Sequence, residues 1–205
     1  MKETDIYSEL TSIRSLMERS SKFISLSGLS GVMAGIYALA GAAWAYQLLP
    51  HQPGEVFIDS ASISEEVIST LVGIALSVLI LSVVTCLLLT SRQSKKTEQR
   101  FWGPGSKRLF GNVALPLITG GLFALILLAR GDYGLVVPAC LLFYGLSLVS
   151  GSHFTFSDVK WLGICQIILG LLCAFIPGYG LLWWSIGFGL LHIVYGSIMH
   201  FKYKQ

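Results

Sequence analysis

The fold is decided by residues 67–90, which read VISTLVGIALSVLILSVVTCLLLT and contain no Asp, Glu, Lys or Arg. An α-helix rises about 1.5 Å per residue, so roughly 20 apolar residues cross the ~30 Å hydrocarbon core of a bilayer. Strands of a membrane barrel alternate in polarity over about 10 residues, whereas this stretch is continuously apolar. It therefore predicts a transmembrane α-helix.

Five further stretches lack charged side chains and are long enough to cross a bilayer. They are residues 23–48, 112–129, 133–150, 161–176 and 180–200. The composition agrees, because only 12% of the residues are charged and 54% are hydrophobic, against roughly 25% charged in soluble domains. We expect an all-α membrane protein, a bundle of six transmembrane helices over residues 23–201 with no soluble domain.

Lys and Arg are distributed unevenly between the two ends of these spans. If the chain crosses the membrane at each span, every basic residue except Arg130 falls on the side of the N-terminus. Cytoplasmic loops carry an excess of Lys and Arg, so both termini are predicted to be cytoplasmic, in a multi-pass protein of a bacterial inner membrane. This topology accounts for the net charge of +3, and no nucleic-acid partner is expected.

Residues 1–22 precede the first span and carry a helical pattern. Ile6, Leu10, Ile13 and Met17 recur every three or four residues, with charged side chains between them, which is typical of an amphipathic helix. We expect this helix to lie in the cytoplasmic interface of the membrane. The alternative is that the same apolar stripe forms a coiled-coil seam with a partner chain.

Residues 91–111 are expected to form a long basic loop on the cytoplasmic side. This segment holds six Lys and Arg residues together with Trp102. Each basic residue near an anionic membrane surface contributes about 1 kcal/mol of attraction, so anionic lipid is the predicted partner. A protein bound to the loop is the alternative.

Small residues mark the first span as the helix that approaches its neighbours most closely. Ser27, Gly31 and Gly35 are spaced four residues apart, a pattern that lets two helix backbones come together in a membrane. The partner is either another helix of the same bundle, which we favour, or the same helix in a homo-oligomer.

The C-terminal hairpin carries glycines and aromatic residues in a distinctive order. The residues concerned are Trp161, Leu162, Gly163 and Ile164, then Gly170, Leu171 and Leu172, and Pro177 before a second glycine-rich span. This order resembles the repeated hairpins of the HdeD-like acid-resistance membrane proteins. The resemblance implies a six-helix bundle and a role in stress response, and it supplies no active-site residues.

Several polar side chains are expected at a similar depth within the spans. Counting the helical rise from the span ends places them in the cytoplasmic half of the membrane. The candidate ligand-binding residues are His192, Tyr195, Tyr144, Gln166 and Ser30. An ionisable residue inside a membrane is a functional hypothesis by default, so a small cavity around His192 is one prediction. The other is that each polar group bonds to a neighbouring helix and that His192 is a neutral core residue.

Motifs of enzymes and cofactor sites do not occur in the sequence. No lysine or carboxylate lies inside a predicted span, which disfavours retinal binding and the proton relays of pumps. The four cysteines form no Cys-x-x-Cys pair, and haem would need two axial histidines at matching depth, for which His153 and His200 are the candidates. No cofactor, metal or catalytic residue is predicted.

These patterns together predict a non-enzymatic membrane protein. The leading hypothesis is a stress-related sensor or scaffold. The alternative is a channel or facilitator for a small neutral or weakly charged solute that passes through the polar layer around His192. The two hypotheses differ at the centre of the bundle, because transport requires a hydrated path between both faces of the membrane.

Overall fold

The computed structural model describes residues 27–49, 63–96 and 103–202. Within these ranges the chain contains helices and no strand. Six helices are long and apolar enough to cross a membrane, so the chain is a multi-pass helical membrane protein. They are α1 (Gly28–Leu48), α2 (Glu65–Lys96), α3 (Pro104–Arg130), α4 (Val136–Ser152, after the 3₁₀ turn Tyr133–Leu135), α5 (Asp158–Phe175) and α6 (Gly180–Lys202). The predicted amphipathic helix of residues 1–22 lies outside the described residues.

Each predicted span corresponds to one of these helices, but α2 and α3 are longer than expected. α2 continues to Lys96 and α3 begins at Pro104, so the prediction of one continuous loop over residues 91–111 was wrong at both ends. Hydropathy marks only the part of a helix that lies in hydrocarbon, whereas the helix itself continues into the polar interface. The start of α3 is favoured locally, because proline is tolerated in a first helical turn and Ser106 Oγ accepts a hydrogen bond from Gly103 N (2.8 Å).

The helices form two packed groups that are joined by α6. α4 packs on α5 and on α3, while α1 packs on α6 and on α2, and further contacts run from α6 to α4 and α5. α2 and α3 therefore lie at the periphery, where Ile80, Leu88 and Leu115 are among the exposed apolar side chains. Lipid tails are as apolar as leucine, so this exposure is what a membrane helix requires.

Glycines allow α1 and α6 to meet backbone to backbone. A Cβ atom at Gly28 would lie 2.5 Å from a backbone nitrogen of α6, and one at Gly35 would lie 2.6 Å from a backbone oxygen of α6. A Cβ atom at Gly31 would lie 3.2 Å from the Cα of Gly196. The structure thus places Gly31 and Gly35 in a contact within the bundle, and Gly28 extends this contact toward the start of α1.

A second glycine contact joins α4 to α5. A Cβ atom at Gly145 would lie 2.7 Å from the carbonyl oxygen of Gly163, and a Cβ atom at Gly163 would lie 2.8 Å from the carbonyl oxygen of Gly145. This reciprocal contact brings the two helices together at one level. Tyr144 precedes the first of these glycines, and Gln166 follows the second by about one helical turn, so the contact sets both side chains at the same depth.

Candidate functional site

The last span changes its hydrogen-bonding pattern near its middle. α6 is π-helical over Ser185–Leu190, and the N–H of Leu191 donates to the carbonyl of Ile186, five residues earlier. In a regular α-helix the same N–H would donate to Gly187, four residues earlier. The π-helical turn therefore takes away the usual helical donor of the Gly187 carbonyl, and π-turns of this kind are frequent at functional sites.

Two side chains use the Gly187 carbonyl oxygen as an acceptor. Gln166 Nε2 donates to it at 2.7 Å from α5, and His192 Nδ1 lies 2.9 Å from it. A carbonyl oxygen can only accept, so Nδ1 of His192 carries a hydrogen. The other ring nitrogen, Nε2, lies 2.8 Å from the hydroxyl of Tyr144 on α4. In the neutral imidazole Nε2 is then the acceptor and the Tyr144 hydroxyl is the donor.

This group, which we call the polar centre, consists of Tyr144, Gln166, Gly187 and His192. It joins α4, α5 and α6 in one chain of hydrogen bonds. Gln166 has no exposed surface and His192 is 6% exposed. Because a polar group in hydrocarbon costs free energy unless it is bonded, the π-helical turn and the two side chains that bond to it stabilise one another.

Aromatic rings cover the polar centre on one side. The rings of Tyr144 and His192 lie 5.4 Å apart, and the ring of Phe188 lies 5.3 Å from Tyr144 and 6.1 Å from His192. Trp184 continues the series at 4.5 Å from Phe188. Trp184 and Phe188 precede His192 along α6, so these rings lie between the polar centre and the end of α6 at Gly180.

An apolar cluster covers the other side. Phe156, Val159 and Met199 are buried together, and Tyr195 packs against them. Met199 follows His192 along α6, and Phe156 lies in the connection between α4 and α5, so the cluster lies toward the end of the bundle that contains Lys202. There Lys202 Nζ forms a 2.7 Å ion pair with Asp158 Oδ2, which ties α6 to the first turn of α5.

Gly187 lies in the most closely packed part of the polar centre. A Cβ atom at this position would lie 2.5 Å from Leu141 Cδ2 and 2.7 Å from Gln166 Oε1. Neither neighbour is at the surface, since Leu141 and Gln166 are both fully buried. An added methyl group would therefore force the ends of the Leu141 and Gln166 side chains to shift, and with them the amide that bonds to the Gly187 carbonyl.

The five predicted ligand-binding residues do not share one site. The structure brings Tyr144, Gln166 and His192 together, as described above. It places Tyr195 against the apolar cluster, although this residue follows His192 by three positions. It places Ser30 in the first turn of α1, where its Oγ donates to Ser27 O at 2.6 Å. Depth alone had grouped these residues. Tyr195 lies on the same face of α6 as His192 but about one turn further along the helix, and the Ser30 hydroxyl bonds to the chain just before α1.

Two other hydroxyl side chains of the spans bond within their own helices. Ser147 Oγ donates to Phe143 O at 2.9 Å, and Thr119 Oγ1 donates to Leu115 O at 2.8 Å. Thr119 is exposed, so this bond satisfies a hydroxyl that faces lipid.

Sequence reasoning missed Gly187, Phe188 and the π-helical turn. One signal was available, because Trp184, Phe188 and His192 are spaced four residues apart and predict one aromatic face of a helix. No comparable signal marks the turn itself, since the surrounding residues are uniformly apolar and rich in glycine.

Metal ligands are sparse in the part of the chain that the structure describes. There, no group of three or more His, Cys, Asp or Glu side chains is close enough to hold an ion. His153 and His200, the two candidates for haem ligation, are both exposed. The polar centre itself offers hydrogen bonds rather than charges, because its members are an amide, a phenol, an imidazole and a carbonyl.

A cavity of about 530 Å³ opens at the opposite end of the bundle from Lys202. It lies between the α3–α4 turn and the end of α5, and Asp132, Tyr133, Cys173 and Pro177 are among its lining residues. Asp132 is paired with Arg130 at 3.0 Å. None of the sequence-predicted site residues lines this cavity.

Comparison with models of known protein families, with curated proteins and with solved structures finds no match to this chain.

Proposed function

We propose that this chain is an inner-membrane protein with both termini in the cytoplasm. The support is the charge at the helix ends. Exposed basic residues lie at one end of the described bundle, on four different helices. They are Arg92, Lys95, Lys107, Arg108, Lys160 and Lys202. The opposite end carries Glu65, Glu66 and Asp132 with one basic residue, Arg130, and an excess of Lys and Arg favours the cytoplasmic side.

Cysteine labelling tests this orientation. In a chain whose four native cysteines are replaced by alanine, Glu66→Cys and Ser157→Cys place single thiols at opposite ends, and both native side chains are exposed. We expect a membrane-impermeant maleimide to label position 66 in intact cells and position 157 only after permeabilisation. Labelling of position 157 in intact cells, with position 66 labelled only after permeabilisation, would contradict the proposed orientation.

The function that the geometry supports best is a non-enzymatic membrane-embedded sensor or scaffold. The observation that carries it is the polar centre, whose side chains bond to one another and to a backbone carbonyl while aromatic rings cover one side and an apolar cluster covers the other. For a solute to cross the bundle, both the aromatic rings and the apolar cluster would have to move aside. The stress-related part of the proposal comes from the resemblance of the C-terminal hairpin to HdeD-like proteins.

A channel or facilitator is the second candidate. It is favoured by one observation, that polar side chains from three helices meet at one level of the bundle. In this case the polar centre would be the narrowest part of a path for a small neutral or weakly charged solute, and His192 would line it.

Flux measurements in liposomes separate the two functions. We expect purified protein to give no glycerol or urea flux above that of protein-free liposomes, because the polar centre is covered on both sides. A flux that His192→Ala abolishes and that Thr119→Ala leaves unchanged would favour the facilitator instead. Thr119 is the matched control because its hydroxyl faces lipid and bonds within its own helix.

Anionic lipid is the partner proposed for the basic end. Arg92 and Lys95 on α2 and Lys107 and Arg108 on α3 are exposed, and each contributes about 1 kcal/mol near an anionic surface. The glycine face of α1 is covered by α6, so a homo-oligomer would have to use a different surface.

A further inference from the structure

The side-chain amide of Gln166 has one polar atom that the polar centre does not use. Its Nε2 donates to the Gly187 carbonyl, which fixes the orientation of the amide, because a flipped amide would bring two acceptors together. Oε1 therefore points away from that carbonyl. It is buried and has no hydrogen-bond partner among the described residues.

An acceptor in this position needs a donor. Leaving a buried acceptor unbonded costs about 1 to 3 kcal/mol, and an apolar side chain of the same length would avoid that cost. Gln166 lies at the ninth residue of the 18-residue helix α5, near its middle, and lipid tails carry no donor. None of the described residues donates to Oε1, so the missing donor is one that a bound molecule can supply.

The surroundings limit what this molecule can be. No carboxylate accompanies the site, because the acidic residues of the described chain, Glu65, Glu66, Asp132 and Asp158, lie at helix ends. A cation would thus be uncompensated, and a neutral donor is favoured. Its size is limited as well, since a Cβ atom at Gly187 would already lie 2.7 Å from Oε1.

We propose that Gln166 Oε1 binds a small neutral hydrogen-bond donor, either water or a solute of similar size with an N–H or O–H group. The polar centre is then a binding site that offers one hydrogen-bond acceptor to the bound molecule. The π-helical turn orients the Gln166 amide and so sets the direction in which this acceptor points. This proposal does not depend on the sensor or scaffold function.

Magnetisation transfer in solid-state NMR tests the proposal on the full chain in liposomes. Glutamine and leucine are labelled with ¹³C, and the Gln166 side-chain carbon is assigned from its loss in Gln166→Glu. We expect transfer from water protons to reach the Gln166 carbon several-fold faster than it reaches the methyl groups of Leu127, which is also buried but lies on α3, outside the polar centre.

A second arm distinguishes the two sources of the donor. The sample is prepared in D₂O with protonated formamide, so that the methine proton of formamide is the source of transfer. Fast transfer from water in ordinary buffer identifies water as the guest, and transfer from formamide alone identifies a solute. If transfer to Gln166 is no faster than transfer to Leu127 in either arm, the proposal is wrong. Gly187→Ala should remove the transfer in a folded protein, and Gly121→Ala, whose added methyl meets no atom within 4 Å, should retain it.

Discussion

Replacing Gly196 with alanine is expected to separate α1 from α6 and to lower the stability of the bundle strongly. The added Cβ atom would lie 2.5 Å from Val32 N, 2.7 Å from Gly28 O and 2.9 Å from the carbonyl carbon of Gly31. All three are backbone atoms, so no change of rotamer relieves the overlap and the helices must move apart. Overpacking costs typically 1 to 3 kcal/mol, and we expect about 3 kcal/mol here. Thermal and denaturant unfolding in detergent micelles measure it.

Gly121→Ala on α3 is the matched control for this experiment. It makes the same chemical change in a membrane helix, but the new methyl group meets no atom within 4 Å. Alanine is the better helix former by about 1 kcal/mol, so the control is expected to be neutral or slightly stabilising. If both variants unfold at the same temperature, the close contact between α1 and α6 is not what stabilises the bundle.

Part of this contact could be predicted from the sequence. The spacing of Gly31 and Gly35 identified α1 as a closely packed helix, because only small side chains let backbones meet. The spacing did not identify Gly196 as the partner, since a local pattern carries no information about which distant helix it faces. The six spans were predictable for a different reason, because the apolar length that crosses a bilayer is a local property.

The depth of the polar centre in the membrane could be predicted from the sequence, but its full set of residues could not. Helical rise placed His192, Tyr144 and Gln166 at a similar level, and all three meet. The same rise grouped Tyr195 with them, but one face of α6 carries both the polar centre and the apolar cluster further along, and Tyr195 belongs to the latter. The π-helical turn could not be predicted, because it depends on donors from α5 and from a side chain beyond the turn rather than on the residues within it.

His192→Leu is expected to have the second large effect. Leucine supplies an apolar side chain of similar size, but the Tyr144 hydroxyl then loses its acceptor, and Gln166 is the only remaining side-chain donor to the Gly187 carbonyl. An unbonded buried donor costs about 1 to 3 kcal/mol, so we expect a loss of about 2 kcal/mol in the free energy of unfolding. Thr119→Val is the control and should change it little, because the Thr119 hydroxyl bonds only to its own helix.

A double-mutant cycle with Tyr144→Phe shows whether this cost arises from the hydrogen bond itself. Tyr144→Phe alone removes the donor to His192 Nε2, and interhelical hydrogen bonds in membranes are worth about 0.6 kcal/mol on average and up to about 1.7 kcal/mol. The Tyr144 hydroxyl, which His192→Leu leaves without an acceptor, is absent from the double variant. The two changes together should therefore cost less than the sum of their separate costs, by about 1 kcal/mol, since contacting residues couple by 0.5 kcal/mol or more. Strict additivity would mean that Tyr144 and His192 stabilise the protein independently, and that the chain of hydrogen bonds through the polar centre does not act as a unit.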